Sequence, residues 1–328
     1  MAAEPSHRFC VAPMLDVTDR HYRHLLRLLS RHAFLYSEMI TAAALARGDA
    51  ARLLRQSPAS GAVALQLGGA EPAALAAAAA LAAEHGYREV NLNVGCPSSR
   101  VQGGRFGACL MAEPARVAEC VAAMQAATAL PVTVKTRLGI DALDSDAHLQ
   151  GFIAAIAAAG CRLVIVHARK AWLQGLSPRQ NREIPPLQYE RVYRLQAQFP
   201  QLAIVINGGI ADLDAAEALL AQPPALAGAM LGRAVQRDPY LLAGVDRRCY
   251  GEMAPPPSRL AVARHYLPYV EAERSAGTPM SVLMAPLLNL FQGQPGARRF
   301  RRHLSERGHR PGAGPQTLTE ALAHLAPA

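Results

Sequence analysis

The stretch EPAALAAAAALAAEHGYREVNLNVGCP, from Glu71 to Pro97, contains a complete helix–strand unit. The alanine- and leucine-rich half predicts a helix with an acidic residue at its start and Gly86 at its end, as helix termini prefer. The apolar run Glu89–Asn93 then predicts a strand, which stops just before a loop that carries Cys96. One such unit favours an α/β protein.

The same pattern recurs along the chain and decides the fold class. Strands are predicted at Phe9–Pro13, Phe34–Ser37, Val63–Leu67, Glu89–Asn93, Val132–Lys135, Leu163–His167, Ala203–Asn207 and Ala229–Leu231. Eight strand–helix units by about residue 240 predict a (β/α)8 TIM barrel. The competing open, doubly wound sheet would usually carry a GxGxxG motif after its first strand, and none is present.

The part of the chain after Gly251 has a different character. The segment MAPPPS predicts a linker, and the residues beyond it have helical periodicity without a strand pattern. We therefore predict a TIM-barrel catalytic domain over residues 1–250, followed by a small C-terminal helical domain over 256–328.

A distinctive residue or group of residues, polar or glycine in all but the first case, stands at the end of each predicted strand. They are Pro13-Met14, Glu38, Gln66, Asn93 with Cys96, Lys135 with Arg137, His167 with Lys170, Asn207-Gly208-Gly209 and Gly232-Arg233. In a TIM barrel these strand ends meet at one face, where active sites are built. Eight chemically diverse positions in register predict an active site there.

The last two units predict that this site binds a phosphate. INGGI and MLGRA supply glycines that let backbone amides approach an anion, and Arg233 adds a charge. With Gln66, Lys135 and His167, this pattern suits a flat, hydrogen-bonding cofactor such as flavin mononucleotide (FMN). The residues themselves predict a phosphate-bearing cofactor and leave its identity open.

Charge predicts a polyanionic partner. The chain has a net charge of +9 and an isoelectric point of about 9.6. From Pro256 onward it contains nine arginines and four glutamates, with no lysine or aspartate. A basic patch of this kind is typical of nucleic-acid binding, although a solvated helical surface is the alternative.

Other classes are disfavoured by composition. Six scattered cysteines without a CxxC pair argue against a structural metal site and a secreted disulfide scaffold. The apolar run Ala73–Ala83 is too short to span a bilayer, and no signal peptide is recognisable. We expect a soluble cytoplasmic protein with free thiols.

Several motifs together resemble one family. They are APMLDVTDRHYR, SEMI, LQLGG, EVNLNVGCPS, GGRFGACLM, VTVKTRLGID, HARKAWLQGLSP, NREIPPL and INGGI, with FQGQPGARRFRRHLSE in the tail. The chain resembles the tRNA-dihydrouridine synthases, most closely the A-type enzymes. The resemblance implies an FMN enzyme, reduced by NADPH, that saturates the C5–C6 bond of uridines 20 and 20a in the tRNA D-loop.

The resemblance also implies roles for individual residues. The positions that would bind FMN are Pro13, Met14, Leu15, Gln66, Lys135, His167, Asn207, Gly208, Gly209, Gly232 and Arg233. Cys96 would be the catalytic general acid that protonates C5. An ordinary thiol has a pKa of about 8.5 and is mostly protonated at neutral pH, which suits that role.

Substrate contacts follow from the same resemblance. Asn93 would bind the uracil edge, with Arg137 and Lys170 near the target nucleotide. Arg179 and Arg182 in one loop, and Arg298 and Arg301 in the tail, would contact tRNA. We expect the enzyme to be a monomer without a metal or a membrane partner. Two alternatives remain: another FMN-dependent TIM-barrel reductase acting on a small molecule, and a non-catalytic RNA-binding protein.

Overall fold

A closed barrel of eight parallel strands confirms the predicted (β/α)8 fold. The computed structural model describes residues 6–325. Each strand pairs with the next along the chain, and the last pairs with the first. The strands are β1 (Phe9–Val11), β2 (Phe34–Thr41), β3 (Val63–Gly68), β4 (Glu89–Val94), β5 (Val132–Arg137), β6 (Leu163–His167), β7 (Ala203–Asn207) and β8 (Gly228–Leu231).

Six strands differ in length from the prediction, and only β6 and β7 have the predicted bounds. β1 ends at Val11, because Pro13 has no backbone N–H to continue the ladder after Ala12 has donated to Leu231. β2 continues to Thr41, because a register shift between Tyr36 and Met39 restores its pairing with β3.

Helices follow the strands and form the C-terminal part of the chain. The α-helices are α1 (Arg20–Leu29), α2 (Ala42–Arg47), α3 (Ala50–Leu54), α4 (Pro72–Glu84), α5 (Ser99–Gly103), α6 (Pro114–Ala127), α7 (Asp146–Ala158), α8 (Tyr189–Gln198), α9 (Leu213–Leu220), α10 (Arg233–Arg237), α11 (Val245–Tyr250), α12 (Arg259–Ser275), α13 (Met280–Met284), α14 (Ala297–Arg307) and α15 (Gln316–Leu322). Short 3-10 helices span Gly107–Ala112, Gln180–Arg182, Pro239–Gly244 and Ala285–Asn289. Pro72 and Pro114 open α4 and α6, where a missing N–H costs nothing.

The barrel interior has a larger apolar side and a smaller polar side. The apolar cluster has members on six strands, and they are Cys10, Ala12, Phe34, Tyr36, Ala64, Ile165, Val205 and Met230. On β4 and β5 the alternate positions Glu89, Asn91 and Thr133 are equally buried but polar. Because successive side chains of a strand point to opposite faces, these three share the interior face. The polar side leads towards the carboxyl-terminal end of the barrel.

The chain divides into two compact units. The first contains the residues up to Met14, Phe34–Gln56 and Ala62–Gly232, and therefore holds all eight strands. The second contains Leu15–Ala33, Ser57–Gly61 and the residues from Arg233 onward. Helix α1, the first in the sequence, thus groups with the C-terminal helices. The predicted functional boundary between residues 250 and 256 stays a prediction.

Contacts inside the second unit show why α1 groups there. Arg20 of α1 pairs with Glu273 of α12 at 2.7 Å, and the Tyr269 hydroxyl lies 2.8 Å from Nδ1 of His21. The His24 ring stacks on Tyr269 with centroids 3.8 Å apart. Burial lowers the pKa of His24 to about 4, so this ring packs in its neutral form at physiological pH.

Candidate active site

The carboxyl-terminal ends of five consecutive strands, β3 to β7, each place one predicted polar residue at the barrel mouth. They are Gln66, Asn93, Lys135, His167 and Asn207. Asn93 is aligned with Lys135, and His167 with Asn207, in the parallel ladders. The structure therefore brings together five residues that the strand-end pattern predicted, all in the first compact unit.

Two amide side chains connect the barrel interior to the cysteine loop. Gln66 donates from Nε2 to Oδ1 of Asn91 at 2.8 Å, and accepts at Oε1 from Nδ2 of Asn93 at 2.9 Å. Oδ1 of Asn93 accepts the backbone amides of Gly95 and Cys96 at 3.1 and 3.0 Å. A buried strand residue thus fixes the start of the Cys96 loop.

The Cys96 loop is also supported from behind. The backbone amide of Ala108 donates to the Cys96 carbonyl at 2.9 Å. Gly107, with φ at +77°, has no room for a side chain, because a Cβ there would lie 2.6 Å from that carbonyl oxygen. The thiol itself is partly exposed, with Sγ 3.6 Å from Oγ of Ser98. The loop is held in place while its sulfur remains accessible.

Four other thiols of the chain lie in environments that raise their pKa values. Cys10, Cys120 and Cys161 are buried, and burial raises the pKa of Cys120 to about 11 and that of Cys161 to about 12. Burial also raises the pKa of the partly buried Cys109. These environments keep the thiols neutral and are typical of structural cysteines.

Lys135 is a titratable cation in the site. Its ammonium donates to Oδ1 of Asn207 at 3.1 Å. Burial is the main reason why its pKa falls to about 7, and the charge of Arg137 lowers it further, whereas Cys96 opposes the shift. An amine held in this state gains its charge readily when an electron-rich group binds beside it.

The predicted phosphate turn is closely packed against His167. Gly208 and Gly209 have φ values of +112° and +69°, a region that favours glycine. A Cβ on Gly208 would lie 2.5 Å from Cδ2 of His167, and one on Gly209 would lie 2.5 Å from Cδ1 of Leu187. Asn207 completes the turn by donating from Nδ2 to the Met230 carbonyl at 2.7 Å. Only glycines fit this backbone beneath the imidazole.

The ends of β1 and β8 approach each other at the mouth. A Cβ on Gly232 would be in ordinary contact with Ala12 at 3.4 Å and with Sδ of Met14 at 3.5 Å. Pro13 and Met14 are partly exposed there. Leu15, which is 58% exposed, and Arg233, which opens α10, belong to the second compact unit. Their predicted contacts with FMN stay predictions.

Arg137 holds two loops together, the Cys96 loop after β4 and the long loop after β6. Its side chain is buried, and it donates to the carbonyls of Gly95 at 2.8 Å, Lys170 at 3.1 Å and Asn181 at 3.0 Å. Burial lowers its pKa to about 10, which leaves it charged at neutral pH. The predicted nucleotide-contacting arginine thus positions the loops around Cys96.

The long loop after β6 carries three more predicted substrate contacts. Lys170 pairs with Asp144 at 3.3 Å, with its ammonium 4.2 Å from the ring centroid of Trp172. Arg179 is exposed and lies 3.6 Å from Glu183, whereas Arg182 is partly buried. Arg179 is therefore accessible to phosphate groups of a ligand that approaches from the solvent.

The predicted pair in the tail lies on α14. This helix buries Ala297, Phe300 and Leu304 inside the second unit. Arg298 is exposed, whereas Arg301 is partly buried and donates to Oε1 of Gln292 at 3.0 Å. The apolar stripe orients the helix, and Arg298 faces the solvent.

Sequence reasoning missed a polar column beneath the site. Glu89 is buried, accepts the hydroxyls of Tyr36 at 2.9 Å and Thr133 at 2.6 Å, and lies 2.6 Å from Nε2 of His7. Thr133 also accepts Nδ2 of Asn91 at 2.8 Å. Through Asn91 the column reaches Gln66 and the cysteine loop. The signal was the alternation in EVNLNV, whose polar positions are those that face the interior.

Residues 6–325 contain no group of three or more His, Cys, Asp or Glu side chains arranged to hold a metal ion. Within the same residues, no helix combines the length and apolarity needed to cross a membrane.

The chain is similar in sequence to known proteins over nearly its whole length. The family model described as dihydrouridine synthase matches residues 10–326. A tRNA-dihydrouridine(20/20a) synthase from Vibrio cholerae is 52% identical over 323 residues, covering 98% of this chain and 97% of that protein. The Shewanella oneidensis protein of the same name is 54% identical over 308 residues, covering 93% and 90%.

Solved structures with low sequence identity share the fold. A 2-naphthoyl-CoA reductase superposes with a TM-score of 0.58 at 13% identity, covering 75% of this chain and 50% of that one. Morphinone reductase gives a TM-score of 0.50 at 14% identity, covering 78% and 88%. At this identity the likeness extends to the barrel alone.

Proposed function

This chain belongs to the dihydrouridine synthase family, and from that premise we propose that it reduces uridine to 5,6-dihydrouridine in the D-loop of tRNA. The family comprises flavin-dependent oxidoreductases, so the chain is an enzyme of that class. Relatives about half identical to it are named for positions 20 and 20a, which supports those two uridines as its targets.

The residues at the barrel mouth fit FMN. Gln66 offers an amide, Lys135 an amine whose charge responds to its surroundings, and Gly208-Gly209 a turn without side chains at the usual phosphate position of the barrel. When bound, FMN supplies the hydride that is added to C6 of the uracil. Lys135 would bind the electron-rich edge of the cofactor, and Arg233 and Gly232 its phosphate.

Cys96 is the proposed acid. Its thiol proton is transferred to C5 of the uracil as the C5–C6 π bond is consumed, and the thiolate then regains a proton from solvent. The Asn93 side chain holds the Cys96 loop through its oxygen. One of the two N–H groups on Nδ2 of Asn93 donates to Gln66. We propose that the other N–H group of Asn93 donates to a uracil carbonyl.

Basic side chains would bind the tRNA outside the mouth. Arg179 and Arg182 would contact it from the loop after β6, and Arg298 and Arg301 from α14. Lys170 would lie near the target nucleotide, and Arg137 would act through the carbonyls that it holds. Phosphate contacts of this kind make affinity fall steeply with salt. We further propose NADPH as reductant, a cytoplasmic location with the tRNA, and a monomeric enzyme.

The observation that carries this proposal is the link between the polar residues of the mouth and the Cys96 loop through Asn93. To test it, the FMN-loaded protein is reduced anaerobically with NADPH and mixed with unmodified tRNA. We expect rapid flavin reoxidation and a mass gain of two hydrogen atoms in the D-loop, both lost in Cys96→Ala.

Two separate measurements address the two alternatives. A flavin that ignores tRNA but is reoxidised by an enone or by orotate would indicate a small-molecule reductase. A Cys96→Ala variant that retains full cellular function would instead indicate an RNA-binding protein whose chemistry is dispensable.

A further inference from the structure

Trp172, the single tryptophan of the chain, is exposed yet firmly held. Its side chain is 40% accessible to solvent, although tryptophan is highly buried on average. Its backbone N–H donates to Oδ1 of Asn181 at 2.8 Å, and Nδ2 of Asn181 donates back to its carbonyl at 2.8 Å. Asn181 is itself fully buried. An exposed indole on a backbone held by two hydrogen bonds is a typical recognition element, because a tryptophan side chain has only two χ angles and loses little conformational entropy when it binds.

A shared hydrogen-bond donor places this indole beside the catalytic loop. Nε2 of Gln102 donates to the carbonyl of Pro97 at 2.8 Å and to that of Leu173 at 2.7 Å. Pro97 directly follows Cys96, and Leu173 directly follows Trp172. Since both carbonyl oxygens contact one nitrogen, the two loops touch there. Trp172 therefore stands at the rim of the site that holds the thiol.

The charges around the indole suit a polyanion that also carries aromatic rings. The Lys170 ammonium covers one face of the ring, 4.2 Å from its centroid, and is fixed there by Asp144 at 3.3 Å. Arg179, whose side chain is 81% exposed, lies farther along the same loop. A base stacked on the other face would have an indole and a cation behind it, and its phosphates would find an arginine nearby.

We propose that Trp172 is a stacking platform for the nucleobase adjacent to the target uridine. This inference rests on the proposed function. A uridine that enters the mouth must leave the base stack of the tRNA, so the adjacent base loses a stacking partner. An aromatic ring at the rim would replace that partner by stacking on the adjacent base. When two consecutive uridines are substrates, one would stack at the rim while the other reacts.

The wild-type holoenzyme provides the first test. Because Trp172 is the only indole, tryptophan emission of the FMN-saturated protein reports on this residue alone. We expect unmodified tRNA to quench it in a saturable way, and heparin, an anion without bases, to leave it unchanged. An emission that does not respond to tRNA, or that heparin quenches equally, would overturn the proposal.

Substitutions provide the second test, read out as the tRNA concentration that half-saturates reoxidation of the reduced enzyme. We expect Trp172→Ala to raise it about tenfold and Trp172→Phe by no more than about threefold, with flavin reduction by NADPH unchanged. Leu143→Ala, which removes a 41% exposed apolar side chain from the preceding βα loop, should change it by less than about twofold. Equal effects of Trp172→Ala and Leu143→Ala would contradict stacking.

The two proposals fail in different ways. If tRNA does not reoxidise the wild-type enzyme, the proposed function is wrong. If the wild type reacts but Trp172→Ala has the same half-saturating concentration, only the stacking platform is wrong. Should Trp172→Ala fold poorly, the wild-type emission still decides.

Discussion

The backbone amide of Cys96 donates a hydrogen bond to the side-chain oxygen of Asn93 over 3.0 Å. One residue of a rigid strand therefore sets the position of a loop whose thiol must meet a single carbon atom. The same oxygen accepts the Gly95 amide, so the first turn of the loop has two anchors. Since chemistry is sensitive to misplacement of about 1 Å, this contact should matter more for rate than for stability.

Asn93→Ala tests that contact. We expect the tRNA-dependent reoxidation rate to fall about a hundredfold and the free energy of unfolding to fall by about 1–3 kcal/mol, as two amides and Gln66 lose their partner. Single-turnover absorbance and urea titration measure the two effects. Asn93→Asp keeps the acceptor oxygen, so it should retain more of the rate. A wild-type rate in Asn93→Ala would mean that the loop positions itself.

Cys96→Ala separates proton transfer from cofactor chemistry. Losing a positioned general acid should slow the tRNA-dependent step by about 10²–10⁴-fold, while anaerobic reduction by NADPH keeps its rate. Cys109→Ala is the matched control, because that thiol is also partly exposed and lies behind the Cys96 loop. Stopped-flow absorbance resolves both half-reactions. Equal losses in the two variants would contradict the assignment.

Lys135 should make flavin binding depend on pH. With a pKa of about 7, its amine is charged below pH 7 and loses the proton above it. If the flavin edge prefers the ammonium, the Lys135 amine must take up a proton when the flavin binds above pH 7. The affinity should therefore fall as pH rises above about 7, by at most about tenfold per pH unit.

Riboflavin is the probe for this effect, because it lacks the phosphate that titrates in the same range. Its fluorescence gives the Kd between about pH 6 and 9. Lys135→Arg should bind without this pH dependence, since an arginine stays charged throughout. A sloping profile in Lys135→Arg would assign the effect to another group.

Gly208→Ala tests the packing beneath His167. The new Cβ would meet the imidazole at 2.5 Å on a backbone with φ at +112°. We expect a loss of about 2–3 kcal/mol in stability, and an FMN Kd raised about tenfold. Gly175→Ala is the control, because its φ is +79° but no heavy atom lies within 4 Å of the added carbon. It should cost about 1 kcal/mol of stability and leave the Kd unchanged.

Glu89→Ala tests the polar column. Removing the carboxylate leaves the Tyr36 and Thr133 hydroxyls and the His7 ring without their acceptor, so unfolding should become easier by about 3 kcal/mol. Glu89→Gln preserves one acceptor oxygen and should lose only about 1 kcal/mol. Urea unfolding followed by circular dichroism checks both values. A loss in Glu89→Ala no larger than that in Glu89→Gln, at about 1 kcal/mol or less, would show that the carboxylate is not the centre of the network.

Much of the fold and the mouth was predictable because the determinants are local. Buried parallel strands such as LVIVH and AIVIN are continuous apolar runs, and a polar residue such as His167 or Asn207 marks the point where each ends. Converging strand ends then place Gln66, Lys135 and Asn207 in one site without any knowledge of their partners.

The remaining features depend on partners that are distant in sequence. Nothing in KTR indicates that Arg137 donates to a carbonyl 44 residues away. Likewise, RHYRHLLRLL is too polar for a core helix until Glu273 and Tyr269 are brought to it. Charged residues are rarely buried unless they are paired, so the sequence indicated that Glu89 marks the exposed start of a strand. Its partners, which make burial possible, are distant in the sequence.

Helix α1 has a consequence for the synthesis of this chain on the ribosome. It emerges before almost every barrel strand, whereas its partners on α12 are translated only after the last one. Until then, Arg20, His21 and His24 lack the side chains that they contact in the finished protein. The helix that is translated first is thus among the last to reach its final packing environment.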